Sequence, residues 1–219
     1  MSVWVWVGVI AIVVALVYVA FTYTGEKTDG VVILKESQAG SKVVSSSIVL
    51  PRSFNEKEGA VYSWTGWVLV KNFTSGFGQR RRIFSVGDAP GLYIDSTSNT
   101  LIASIKTYSS AEPETLMISN IPAMKWVHFA IVVDQTSVNF YVNGTLRMYH
   151  TLNNLPMQTN DSVAFGGDWD GVVGRVEYYP YALSNARIFL KASEQPPSDL
   201  MKKPESGSYL DMTWYTGRL

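Results

Sequence analysis

The chain has 219 residues, of which 47% are hydrophobic and 16% charged, with Lys+Arg and Asp+Glu balanced at 18 each. That balance leaves no basic excess to displace the counterions of nucleic acid, so no nucleic-acid partner is expected. There is no cysteine, which excludes disulfides, thiolate metal sites and cysteine nucleophiles and leans towards a reducing compartment.

The first predicted element is the uncharged run Val3–Tyr23, VWVWVGVIAIVVALVYVAFTY. About 20 helical residues cross the roughly 30 Å hydrocarbon layer. Trp4 and Trp6 at one end, with Tyr18 and Tyr23 near the other, suit the two interfacial belts. The run lacks the positive n-region and short apolar core of a signal peptide. Residues 1–24 are therefore expected to form a single transmembrane α-helix, with the lipid bilayer as partner of residues 3–23. Nothing basic precedes the run, and Lys27, Lys35 and Lys42 follow it. This charge asymmetry places the remainder on the cytosolic side. Three glycosylation sequons argue the other way: Asn72-Phe-Thr, Asn143-Gly-Thr and Asn160-Asp-Ser.

Residues 25–44 are polar, with one apolar run at Val31–Leu34, and read as a stalk or as an edge strand joining a sheet. From residue 45 to 192, short strand signals recur between turn residues. They cover Ser47–Leu50, Val61–Val70, Arg82–Val86, Gly91–Ile94, Leu101–Tyr108, Leu116–Ile118, Trp126–Val133, Ser137–Val142, Thr145–His150, Ser162–Phe165 and Gly174–Tyr179. Val138–Val142 and Tyr62–Trp67 alternate with period two, and no stretch after residue 25 shows a helical period. Asn143-Gly144 is the preferred pair for a two-residue hairpin in which both residues take positive φ. The pattern predicts an all-β antiparallel sandwich. The tail, 193–219, is Pro-rich and then aromatic; Tyr209, Trp214 and Tyr215 either pack on their own domain or dock on a partner.

The segment Ile121–Gly144 runs Trp126, His128, an apolar strand, Asp134 in a turn, and a strand ending Tyr-Val-Asn143-Gly144. With Val163–Gly167 and Gly174–Ser184, it resembles laminin-G-like, or concanavalin A-like lectin/glucanase, domains. The resemblance covers roughly residues 45–192 and implies a jelly-roll sandwich of two curved sheets. On the residues themselves, Trp126 suits a plug at one end of the core. Strand alternation puts His128 on the same face as Trp126, where it suits a hydrogen-bonded structural imidazole rather than a catalyst, and Asp134 suits an Asx turn.

Glycanases of that superfamily carry a Glu-x-Asp-x-x-Glu strand, which is absent here; the nearest acids are Asp168, Asp170 and Glu177. Two carboxyls about 5 Å apart are what retaining hydrolysis needs. No enzyme activity is expected. Two histidines cannot build a His-rich metal site. Calcium has candidate ligands in Asp88, Asp168 and Asp170, but no stretch has the oxygen density of a calcium loop, so no cofactor is expected. Asp168-Trp169-Asp170 is the candidate glycan site, an aromatic flanked by acids. Arg80-Arg81-Arg82 is the candidate contact for lipid headgroups or an acidic partner.

The expected function is a membrane-anchored, non-catalytic module linking a membrane to other structural proteins. The layout is similar to that of membrane-anchored minor capsid proteins of large icosahedral DNA viruses, with a virion location between internal membrane and capsid shell. The competing expectations are a tethered carbohydrate-binding lectin and, third, a glycanase.

Overall fold

A computed structural model describes residues 10–17, 30–56, 59–109 and 111–198, the side chains of 54–56 excepted. The chain divides into two units, Met1–Gly30 and Val31–Leu219. In the first, residues 10–17 form helix α1, whose Ile10, Ile12, Val14 and Leu16 are exposed. Among the described residues no helix is long and apolar enough to cross a membrane. The flanks of the expected span, with Trp4, Trp6, Tyr18 and Tyr23, lie outside the described residues, as do Tyr209, Trp214 and Tyr215.

The second unit is a sandwich of two antiparallel sheets. One contains β1 (Val31–Leu34), β14 (Gly171–Tyr179), β5 (Gly59–Val70), β10 (Trp126–Asp134), β11 (Ser137–Val142) and β12 (Thr145–Thr151), in that order. Two short strands attach to its sides: β2 (Gln38–Ala39) on β14 and β4 (Phe54–Glu56) on β5. The other runs β3 (Val44–Ser46), β13 (Val163–Phe165), β6 (Arg81–Val86), β7 (Gly91–Ile94), β8 (Leu101–Ile105), β9 (Glu114–Ile118). The 31–39 stretch is thus an edge of the sheet rather than a stalk. The strand expected at Ser47–Leu50 lies instead at β3, and Ile48 and Val49 are exposed.

Alternation along β5 sends Tyr62, Trp64, Val68 and Val70 into the core between the sheets. There Trp64 meets Phe84 at 4.9 Å and Tyr178 at 5.0 Å between ring centroids. Gly66 falls on the same face because the Phe129 ring occupies the place of its side chain, 2.7 Å from an ideal Cβ. Each fully buried aromatic or aliphatic side chain contributes roughly 1.5–3 kcal/mol.

The opposite face of β10 and β11 is buried too, by a helix that sequence periodicity missed. Helix α2 (Asn185–Ser193) lays Ile188 on Ala130, Val132, Tyr141, Tyr179 and Leu183. Its nine residues bury only Ile188 and leave Phe189 and Leu190 exposed, and so short a run shows no sustained helical period. The available signal was Ser184, the N-cap, whose hydroxyl accepts from the Arg187 N–H at 3.4 Å.

The hairpin of β10 and β11 turns at Gln135-Thr136, with Gln135 at φ 56°. The Asp134 carbonyl, rather than its carboxylate, accepts from Ser137 Oγ at 3.0 Å. The β11–β12 turn is Asn143-Gly144, φ 50° and 77°. Asn143 also extends the sheet: its N–H donates to the His128 carbonyl at 2.8 Å, and its Oδ1 accepts from the His128 N–H at 2.9 Å.

Candidate functional site: a rim of clamped loops

Three loops meet at one end of the sandwich: 71–80 between β5 and β6, 95–100 between β7 and β8, and 166–170 between β13 and β14. The candidate groups Arg80–Arg82 and Asp168–Asp170, 86 or more positions apart in sequence, meet here. Gly76 passes so close to the Asp168 carbonyl that an added Cβ would stand 2.1 Å from it. The Arg82 Nε donates to the Gly166 carbonyl at 3.1 Å, and the Trp169 indole N–H donates to the Arg82 carbonyl at 2.9 Å.

Two expectations about these residues are corrected. Trp169 is 0% exposed and belongs to the central core, so its ring offers no platform to a sugar. Gly40 and Gly171 make room for it, each with an ideal Cβ position 2.4 Å from the ring. Arg81 is 2% exposed rather than part of a solvated basic run. Its guanidinium donates to the carbonyls of Phe73 at 2.7 Å and Ser75 at 3.0 Å, and to that of Asp95. Burial lowers its pKa and the nearby Asp95 charge opposes that shift. Only Arg80 remains outside, its guanidinium 3.9 Å above the Tyr93 ring.

The clamp holds loop 71–80 from within, and side chains hold it from without. Asn72 Oδ1 accepts from the N–H groups of Thr74 and Ser75, both at 3.0 Å, and Nδ2 donates to Asp170 at 2.9 Å. The Asp95 carboxylate accepts from Ser98 Oγ at 2.8 Å and from the N–H groups of Thr97 and Ser98. Those donors, Ser98 first, hold its pKa below the usual value. The Gly78 N–H then ties the two loops together through the Ser96 carbonyl at 2.8 Å.

At the tip stands Phe77, 62% exposed, between Gly76 at φ 66° and Gly78 at φ 88°. The Met124 N–H bonds the Val70 carbonyl at 2.7 Å, and Met124, on the neighbouring loop, is 68% exposed. Sequence reading passed over Phe77 and Asp95, and took Asn72 only as a glycosylation sequon. The signal for the first was an aromatic residue flanked by glycines, in Ser75-Gly-Phe-Gly78.

The remaining candidates lie elsewhere. Asp88, on the β6–β7 turn, pairs with Lys106 at 3.2 Å. Among the described residues, no three His, Cys, Asp or Glu side chains are placed to hold a metal ion. Trp126 is partly exposed on the outer face and does not plug the core. His128, on that same face, is buried beside Trp67, ring centroids 5.1 Å apart.

His128 lines a small pocket with Glu177 and Lys191. Glu177 accepts from Lys191 at 2.6 Å and from the Tyr179 hydroxyl. Burial raises the Tyr179 pKa, and the Glu177 carboxylate raises it further. Burial, and next the Lys191 charge, push the His128 pKa down to about 4, against the pull of Glu177.

A pH dependence follows from that shift. Above pH ~6.5, where an unfolded imidazole titrates, both states hold His128 neutral and the fold keeps its full stability. As pH falls further, the unfolded chain takes the proton first, and stability declines until the folded imidazole also titrates, near pH 4. The loss amounts to about 3 kcal/mol. Urea unfolding of parent and His128→Leu chains between pH 7.5 and 4 should differ by this slope.

Comparisons agree with the geometry. Residues 41–192 match the family model described as the concanavalin A-like lectin/glucanases superfamily. No curated protein matches the chain. Among solved structures it is similar to the binding domain of Paraclostridial mosquitocidal protein 1 (TM-score 0.57, 15% identity, 76% of this chain and 46% of that one). It is also similar to the receptor-binding domain of botulinum neurotoxin type G (0.51, 17%, 71% and 45%). A third is that of botulinum neurotoxin D (0.57, 13%, 75% and 46%). The chain spans less than half of each of these three domains, and the likeness is one of fold.

Proposed function

The chain belongs to the concanavalin A-like lectin/glucanases superfamily, and from that premise we propose that it is a non-catalytic binding module, tethered to a membrane through residues 3–23, whose clamped rim grips a protein partner. The observation that carries this reading is the Phe77 loop: an exposed aromatic held on a backbone that Arg81 and Asn72 have already ordered. Such a loop loses little entropy on docking, and a large side chain at its tip suits the centre of an interface.

A further observation supports it: two of the three acids nearest a glycanase pair are engaged structurally, Glu177 with Lys191 and Tyr179, Asp170 with Asn72. In its finer form the partner is another structural protein, the sandwich lying on the cytosolic side of an internal virion membrane beneath a capsid shell. The absence of cysteine, the lysines after residue 23 and the layout support that form.

The full-length chain bearing a photo-crosslinker in place of Phe77 should capture a protein in its native membrane, and one bearing it at exposed Arg52 should not. Selective signal on a glycan array with no adduct at position 77 would reverse the reading in favour of the lectin. Phe77→Ala should remove the partner's binding while moving unfolding stability by no more than about 0.5 kcal/mol.

A further inference from the structure

At the end opposite the rim, two irregular segments cross between the sheets and bond to each other. Ser53 donates to Gln158 Oε1 through its N–H at 3.2 Å and its hydroxyl at 2.8 Å. Gln158 Nε2 donates to the Tyr178 hydroxyl at 3.0 Å, which donates in turn to the Pro51 carbonyl at 3.2 Å. Beneath this strap lies a chamber lined by Tyr62, Trp64, Tyr178, Gln158, Thr159 and Leu50. It holds about 220 Å³ counted out to its open mouth, with room for one water molecule against its walls.

Three polar atoms of this lining have no bonding partner within the protein: Tyr62 Oη, Trp64 Nε1 and Thr159 Oγ1. Tyr62 and Trp64 are both at least 99% buried, and β5 alternation sends their side chains to the same face. Buried polar groups in folded proteins are almost always bonded, to protein or to ordered water. The chemistry of the three defines what they would take. An indole N–H only donates, so the occupant must accept; the two hydroxyls both give and take. No ionisable carboxylate, ammonium or guanidinium lines the chamber, and aromatic walls disfavour a charged occupant.

We propose that this chamber binds one neutral water molecule, accepting from the Trp64 indole N–H and bonded to the hydroxyls of Tyr62 and Thr159. The water fastens the strap to the centre of β5, joining a segment without regular structure to the core. The site is independent of the rim and of what the rim binds.

The test uses the full-length chain in detergent micelles. Thr159→Val and Tyr62→Phe each delete one hydroxyl and little else. Each should lower the folded-to-unfolded ratio in urea about fivefold. The double variant should lose less than the product of the two, because both hydroxyls hold the same molecule. A ratio unchanged or raised by either substitution, or losses that multiply, would overturn the proposal. A measurement on the parent chain does not depend on the variants folding. The Trp64 indole proton should show a nuclear Overhauser effect to a long-lived water, and its absence would equally overturn the proposal.

Discussion

Arg81→Met is expected to cost about 3 kcal/mol of stability, although it replaces a charge with an apolar side chain of similar reach at a buried site. The guanidinium is bonded to three carbonyls, those of Phe73, Ser75 and Asp95, which belong to two different loops. Removing it leaves three acceptors without their donor, at roughly 1–3 kcal/mol for each that water cannot reach. The 71–80 loop can turn some of them outward, which sets the total nearer the bottom of that sum. Arg81→Lys should recover only part of the loss, because one ammonium cannot reach in the directions of a planar fork. Urea unfolding of the two variants measures the first effect. Faster amide exchange at Gly78, whose N–H bonds the Ser96 carbonyl, reports the loosening of the loops. Unchanged stability and exchange in Arg81→Met would mean that the loops order themselves without it.

The same arginine shows what could be read from the sequence. The strands of the sandwich were legible because alternation and the Asn143-Gly144 turn are local signals. The family resemblance was legible from 121–144, where strand, turn and strand follow without interruption. What escaped were arrangements decided by distant residues. Arg80, Arg81 and Arg82 read alike in a row, yet one stacks on Tyr93, one is enclosed by carbonyls and one bonds the Gly166 carbonyl. Only the meeting of loops 71–80, 95–100 and 166–170 separates their roles. Trp169 sits between two aspartates, which reads as a surface motif, but a positive φ at Asp168 turns the chain, and the indole lies inside. Helix α2 escaped for the converse reason, since it buries one side chain of nine and owes its stability to the sheet beneath.

Trp169→Ala should be the most damaging single change at the rim, at about 3–5 kcal/mol. The ring is wholly buried, and its N–H is the bond that holds the Arg82 carbonyl at the start of β6. Trp169→Phe keeps most of the volume but orphans that carbonyl, and should cost about 1–2 kcal/mol. The ring can also be disturbed without touching it. An ideal Cβ on Gly40 stands 2.4 Å from ring atoms, so Gly40→Ala must displace either the indole or the Ala39–Ser41 backbone, and should cost about 1–3 kcal/mol. If the indole instead stood on the surface as a sugar platform, both Trp169→Ala and Gly40→Ala would leave the urea midpoint unchanged while Trp169→Ala abolished glycan binding. A large stability loss in Trp169→Ala means that any binding defect of that variant is a folding defect. The informative binding variant is then Phe77→Ala, whose side chain stands outside the fold.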